Sequence, residues 1–144
     1  MSSLSTEELK TIANRWIEQG WQKGNVAVID ELHAPDFVDH AADGRAVDRN
    51  GFKQGITDLY AAFPDLYATT EDLVIDLATQ TVTVRWTAVG THQGIFMGVA
   101  ATGNTIHFTG IEIIRIENGK IVERWGEWNG IDLLMQLGAF SLDG

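Results

Sequence analysis

Glu112 lies between Ile111 and the pair Ile113-Ile114, an acidic side chain inside an otherwise β-branched apolar run. A carboxylate in such a setting is costly to bury without a purpose or a partner. Its purpose would be general-base chemistry, because desolvation makes a carboxylate more basic. The bland alternatives are a pairing with Arg124 or Arg85, or a place in a subunit interface. Glu127 is the second acidic candidate, Asp39 and His40 form a polar pair after Pro35, and His92 stands between Gly90 and Gly94. Trp86, Phe96 and Trp125 are the aromatic side chains expected to wall an apolar site. The four histidines occur at no ligand spacing, so no metal is expected.

The element that must position the acids is a hairpin. Ile111 to Ile116 and Ile121 to Trp125 flank Asn118-Gly119, a pair suited to a type I′ turn because both central residues need positive φ. A regular ladder from that turn sets Ile116 against Ile121, Ile114 against Glu123, Glu112 against Trp125 and Gly110 against Glu127. One face then carries Phe108, Ile114, Ile116, Ile121 and Trp125 with the acids among them, and a bulge near Trp125 would change which acid points inward.

Upstream, Ser5 and Glu8 form a capping box, and Leu9, Ile12, Ala13, Trp16 and Ile17 repeat at helical spacing. Asn25 is placed to cap a short helix that ends before Pro35, and Phe37 to His40 is extended. Asp48 caps a third helix carrying Phe52, Ile56, Leu59 and Tyr60, which Pro64 ends. The period then changes to two: strands are expected over 67–77 and 81–92, and a glycine-punctuated flap or strand edge over 93–105. Asn129 caps a last short helix closed by Gly138. Three helices followed by a curved antiparallel sheet make an α+β domain, a cone with helices packed in the sheet's hollow.

Composition narrows the partners. The 144 residues fit one domain, with an ordered core expected over about 5–138. A net charge of −10 argues against nucleic acid and anionic membrane as partners. With no cysteine, no basic and apolar leader and no stretch of membrane-spanning length, the expected location is the cytoplasm.

The motifs APDFVDH (34–40), AAFPDL (61–66), GTHQGIFMG (90–98), ATG (101–103) and ENGKIVERW through LLMQLG (117–138) resemble the SnoaL-like polyketide cyclase, or ester cyclase, family. The resemblance runs through nearly the whole chain. It implies the cone-shaped fold of the nuclear transport factor/ketosteroid isomerase type, a closed ligand cavity and intramolecular aldol chemistry without a cofactor. It also implies a homodimer formed through the outer sheet face, where Thr81, Thr83, Arg85, Ile113 and Arg124 are expected. It places the family's catalytic aspartate on Gly126 and a second acidic position on Asn129, leaving Glu112 and Glu127 as the acids able to act as base. Asp39 matches a polar pocket position, and His40 and His92 belong to family motifs. Three readings follow: a cofactor-free cyclase, a binding protein that keeps the pocket without the chemistry, and an enzyme of the epoxide hydrolase or isomerase kind on the same fold.

Overall fold

A computed structural model describes residues 3–142; the last two residues of the expected C-terminal tail lie outside the described part. Helix α1 spans Thr6–Trp16, and its capping box is present on both sides: the Glu8 amide donates to Ser5 Oγ (3.2 Å) and the Ser5 amide to Glu8 Oε1 (3.0 Å). The helix does not end there but continues as a π-helical turn over Ile17–Gln22. Helix α2 (Val28–Leu32) leads directly into strand β1 (His33–Asp39). Asn25 starts α2 through its backbone carbonyl, which accepts from the Val28 amide, and not through its side chain. Asp48 Oδ1 caps α3 (Arg49–Ala62) by accepting from the Gly51 amide at 2.9 Å.

Four longer strands follow: β2 (Tyr67–Asp76), β3 (Thr81–Thr91), β4 (Thr105–Glu117) and β5 (Lys120–Trp128), then α4 (Gly130–Gln136). The sheet order is β1-β5-β4-β3-β2, with β1 parallel to β5 and every other pair antiparallel. Strand β4 alternates strictly, with Ile106, Phe108, Gly110, Glu112, Ile114 and Ile116 buried, as one covered face demands. Two apolar clusters fill the hollow. One joins α1, α2, β1 and α3 to Val82, Val84, Ile114, Ile116 and Ile121; the other joins the end of α3 and α4 to Ala88, Ile106 and Phe108. Trp21, Tyr60 and Trp86 pack against both. Each large side chain so buried contributes roughly 1.5–3 kcal/mol.

The hairpin turns as the Asn-Gly signal requires, with φ of 52° at Asn118 and 76° at Gly119. Its register differs from the regular ladder. Ile116 pairs with Ile121, but Arg115 already pairs with Glu123, so Val122 is an extra residue in β5. Beyond this bulge every partner moves by one: Ile114 faces Arg124, Ile113 faces Trp125, Glu112 faces Gly126 and Gly110 faces Trp128. Because side chains alternate with a period of two, the slip exchanges the faces of β5. Arg124 therefore turns inward, contrary to its expected place on the outer surface, and Trp125 turns outward.

Candidate active site

Between the helices and the hollow of the sheet lies a cavity of about 600 Å3. Its walls are mostly apolar: Ile17 and Trp21 from the π-helical turn, Phe52, Ile56 and Leu59 from α3, and Val84, Trp86, Phe108 and Trp128 from the sheet. Ile95, Phe96 and Met97 close over it from the 93–104 loop, whose tip is a tight turn made by Met97 and Gly98 at positive φ. That loop is tied to α3 by Gln93 and Gly94, whose amides both donate to the Ala62 carbonyl.

Glu112 and Arg124 form a charged floor, and Asp39 supports it from behind. Arg124, buried, holds Glu112 Oε2 through Nε (3.1 Å) and Nη2 (3.0 Å), and Asp39 Oδ1 through Nη1 (2.7 Å). Burial opposes the arginine's charge, but Glu112 and then Asp39 more than restore it, and the pKa of Arg124 is raised. Phe52 lies against the guanidinium, its ring centre 4.9 Å from Cζ. Asp39, fully buried, also accepts from the Ala41 amide on Oδ1. Its Oδ2 has no hydrogen-bond partner, Arg45 Nη2 lying 4.0 Å away.

The two oxygens of Glu112 are unequal. Oε2 takes both guanidinium bonds, whereas Oε1 meets only the indole N–H groups of Trp16 and Trp21, at 3.4 and 3.5 Å. Those are long contacts, so Oε1 is the less engaged of the two oxygens. The π-helical turn explains how two tryptophans five residues apart reach one oxygen, since five-residue spacing returns to the same side of a π-turn. Gly20 makes room for this: a Cβ there would sit 2.1 Å from the Trp16 ring.

Of the residues singled out from sequence, Glu112, Trp86 and Phe96 line the cavity, and Glu127 stands at its exposed rim. Asp39 touches the site through Arg124 and does not line it. His40 and Trp125 are on the outer face, stacked at 4.8 Å with rings 9° from parallel, and His40 Nε2 is 2.8 Å from Glu123 Oε2. The Val122 bulge is the physical reason Trp125 is not a cavity wall. His92 is fully buried outside the cavity lining, where its Nδ1 accepts from the Thr102 amide at 3.1 Å. The pairing of Glu112 with Arg124, offered from sequence as the bland alternative, is present; the inward place of Arg124 beside the cavity and the indole donors were not foreseen. The available signal was Ile121-Val122 followed by Glu123-Arg124, where strict alternation breaks. Among the described residues, no cluster of three or more His, Asp or Glu side chains is placed to hold a metal ion, and no helix is long and apolar enough to cross a membrane.

With this geometry in view, the chain matches the family profile of SnoaL-like polyketide cyclases over residues 11–137. It belongs to the SnoaL-like polyketide cyclase family. Among solved structures it is similar to IdmH, a candidate polyketide cyclase from Streptomyces antibioticus, at 32% identity over 90% of this chain and 98% of that one, with a TM-score of 0.78. AclR, a candidate hydroxylase from Streptomyces galilaeus, is 29% identical over 95% of this chain and all of that one, with a TM-score of 0.84. TsrD from Streptomyces laurentii, at 22% identity and a TM-score of 0.85 over 96% of this chain and all of that one, shares the fold. No curated protein matches the chain. Gly126 lies beside the Arg124 guanidinium: a Cβ on residue 126 would be 2.6 Å from Nη2.

Proposed function

We propose that this protein closes a ring in an apolar, carbonyl-bearing ester by cofactor-free acid–base chemistry, with Glu112 as the general base. The observation that carries this reading is Glu112 Oε1, a carboxylate oxygen with only long indole contacts on the floor of a mostly apolar cavity. In such a reaction the acidic Cα–H loses its proton to Oε1, and the electron pair moves to the carbonyl oxygen. The resulting carbanion carbon attacks a second carbonyl of the same molecule, and the new alkoxide takes a proton, so the product is an isomer of the substrate. The cavity's contribution is to hold the two reacting carbons together, an effect able to supply several kcal/mol. Aromatic walls at Trp21, Trp86, Phe108 and Trp128 suit a flat polycyclic ligand. Glu127 is held in reserve as base at the rim.

Incubation with a panel of aromatic β-keto esters, followed by chromatography and mass spectrometry, tests this directly. The expected result is a new species of unchanged mass that is lost in Glu112→Gln, with the far-ultraviolet spectrum of the variant unaltered. Ring closure at the wild-type rate in Glu112→Gln overturns the assignment.

A second reading has its own observation. Arg124 engages Glu112 through two nitrogens, and glycine and asparagine stand at 126 and 129, where the resemblance places acids; together these favour a protein that binds the ligand and leaves it unaltered. Tight retention of an intact apolar ester with no product would select this reading. Water-adding chemistry is less well supported, because it needs two carboxylates around one water, and Asp39 does not line the cavity. For the assembly, a homodimer through the outer sheet face is our reading. Exposed Ile111 and Ile113 support it, and sedimentation of a monomer at micromolar concentration would count against it.

A further inference from the structure

We infer that the gap beside Gly126 is an oxyanion subsite, in which the enolate oxygen of the ligand takes over from Glu112 as the counter-ion of Arg124. This rests on the ring-closing reading above and adds a second group to it. Glu112 would take the proton, and Arg124 would take the charge.

A guanidinium has five N–H groups in a fixed plane, and the contacts to Glu112 and Asp39 use three of them. Nη2 is the nitrogen nearest residue 126, and a side chain there would begin 2.6 Å from it, well inside contact distance. Glycine leaves that approach open. The next atom met by such a Cβ, apart from the guanidinium, is Ala41 Cβ at 3.7 Å, a single methyl group. Arg124, Gly126, Ala41 and Glu112 all line the cavity, so a ligand oxygen can enter there.

Charge conservation supplies the second half. Before reaction, one guanidinium faces two carboxylates. When Glu112 Oε1 accepts the Cα proton, Glu112 becomes neutral and the electron pair of the broken C–H bond rests on the ligand's carbonyl oxygen. The site then holds the same guanidinium, the Asp39 carboxylate and one enolate. Net charge is unchanged, and no new charge is buried without a partner. Asp39, bonded to a different nitrogen, stays in place throughout and keeps the guanidinium oriented. A donor already aimed where charge develops needs no reorganisation during reaction. The ligand class follows: a flat molecule carrying an enolisable 1,3-dicarbonyl or an acidic phenol.

A nitro-substituted naphthol, whose ionised form absorbs at longer wavelength, serves as the probe. Quenching of the cavity tryptophans reports binding, and the absorption spectrum reports ionisation, at a pH below the probe's own pKa in water. In the wild type the bound probe is expected to show the ionised spectrum. Gly126→Ala and Ala41→Leu, which narrow the gap from opposite sides, are expected to bind the probe but lower its bound ionised-to-neutral ratio at least about tenfold, or about 1.4 kcal/mol. At a pH where the free probe is already ionised, Glu112→Gln is expected to bind it more tightly, because Arg124 has lost a competing anion. A merely structural role for Arg124 would not produce that gain. A wild-type complex that quenches tryptophan but holds the probe neutral overturns the subsite and leaves the ring-closing reading intact. An undiminished ionised signal in both narrowed variants does the same. Absence of any binding removes both.

Discussion

Glu112 faces Gly126 directly across the β4–β5 ladder, and Arg124, two residues before Gly126 on the same face, reaches back over the glycine to pair with Glu112. The arginine is thereby fixed between acids from two different neighbouring strands, β4 and β1. Removing it strands both. Arg124→Met is expected to lower unfolding free energy by about 3–5 kcal/mol, the usual cost of leaving a buried charge unpaired. Glu112→Gln keeps the shape and one acceptor, and about 1–3 kcal/mol is expected. Urea denaturation of both variants checks the order; equal small losses would show that the pairing contributes little.

Trp86 owes its position to a glycine as well. It pairs across the ladder with Gly110, where a Cβ would lie 2.3 Å from the indole ring and 2.8 Å from the Glu127 carbonyl. The ring lies over the bare backbone and forms part of the cavity wall. Gly110→Ala must therefore push the indole aside, and overpacking of this kind costs about 1–3 kcal/mol. Denaturant titration measures the loss, and a shift in tryptophan emission reports that Trp86 has moved. Wild-type stability with unchanged emission would mean that the wall yields freely.

Local signals carried most of the fold. Ser5-Glu8, Asp48, Asn129 and Asn118-Gly119 each act within a few residues, and each does in the structure what its chemistry dictates. The α+β class followed from the change in hydrophobic period at Tyr67. The site was less legible because it depends on two irregularities that propensity does not encode. One is the Val122 bulge, which moves Arg124 in and Trp125 out with a single extra residue. The other is the π-helical turn, which brings Trp16 and Trp21 to the same oxygen. Glu112 was legible because it shares the period-two face of Phe108, Ile114 and Ile116, whatever the register of its partner strand. His40 was not, because its place follows that of Trp125, on which it stacks.

His33 predicts acid sensitivity. It is 1% exposed among Trp16, Phe37 and Phe52, and burial, which outweighs the opposing influence of the Ile29 backbone, pushes its pKa down to about 3. The folded protein therefore holds it neutral, while the unfolded chain binds a proton below about 6.5. Stability from this group is fully present above about pH 6.5 and declines as pH falls toward about 3, with a limiting slope of about 1.4 kcal/mol per pH unit. His33→Phe, which keeps an aromatic ring in an aromatic nest, is expected to flatten that part of the stability curve. Denaturation of both proteins between pH 7 and pH 4 gives the comparison, and parallel curves would contradict the neutral buried imidazole.

His92 governs the loop that covers the cavity. Its backbone amide donates to the Asn104 carbonyl, its carbonyl accepts from the Gly103 amide, and its ring Nδ1 accepts from the Thr102 amide. That last bond assigns the ring proton to Nε2, which is buried without a partner. The two ends of the imidazole therefore act in opposite directions on stability. His92→Phe removes an unsatisfied buried donor, a gain, and leaves the Thr102 amide without its acceptor, a loss of about 1 kcal/mol. Global stability is expected to change little, while the Thr102 amide exchanges with solvent about five- to tenfold faster, in keeping with a local opening free energy lowered by about 1 kcal/mol. Hydrogen exchange followed by NMR resolves the two effects. If Thr102 exchanges no faster than in the wild type, the ring does not hold the loop, and Phe96 must be kept over the cavity by its packing on Phe63 and Trp128 alone.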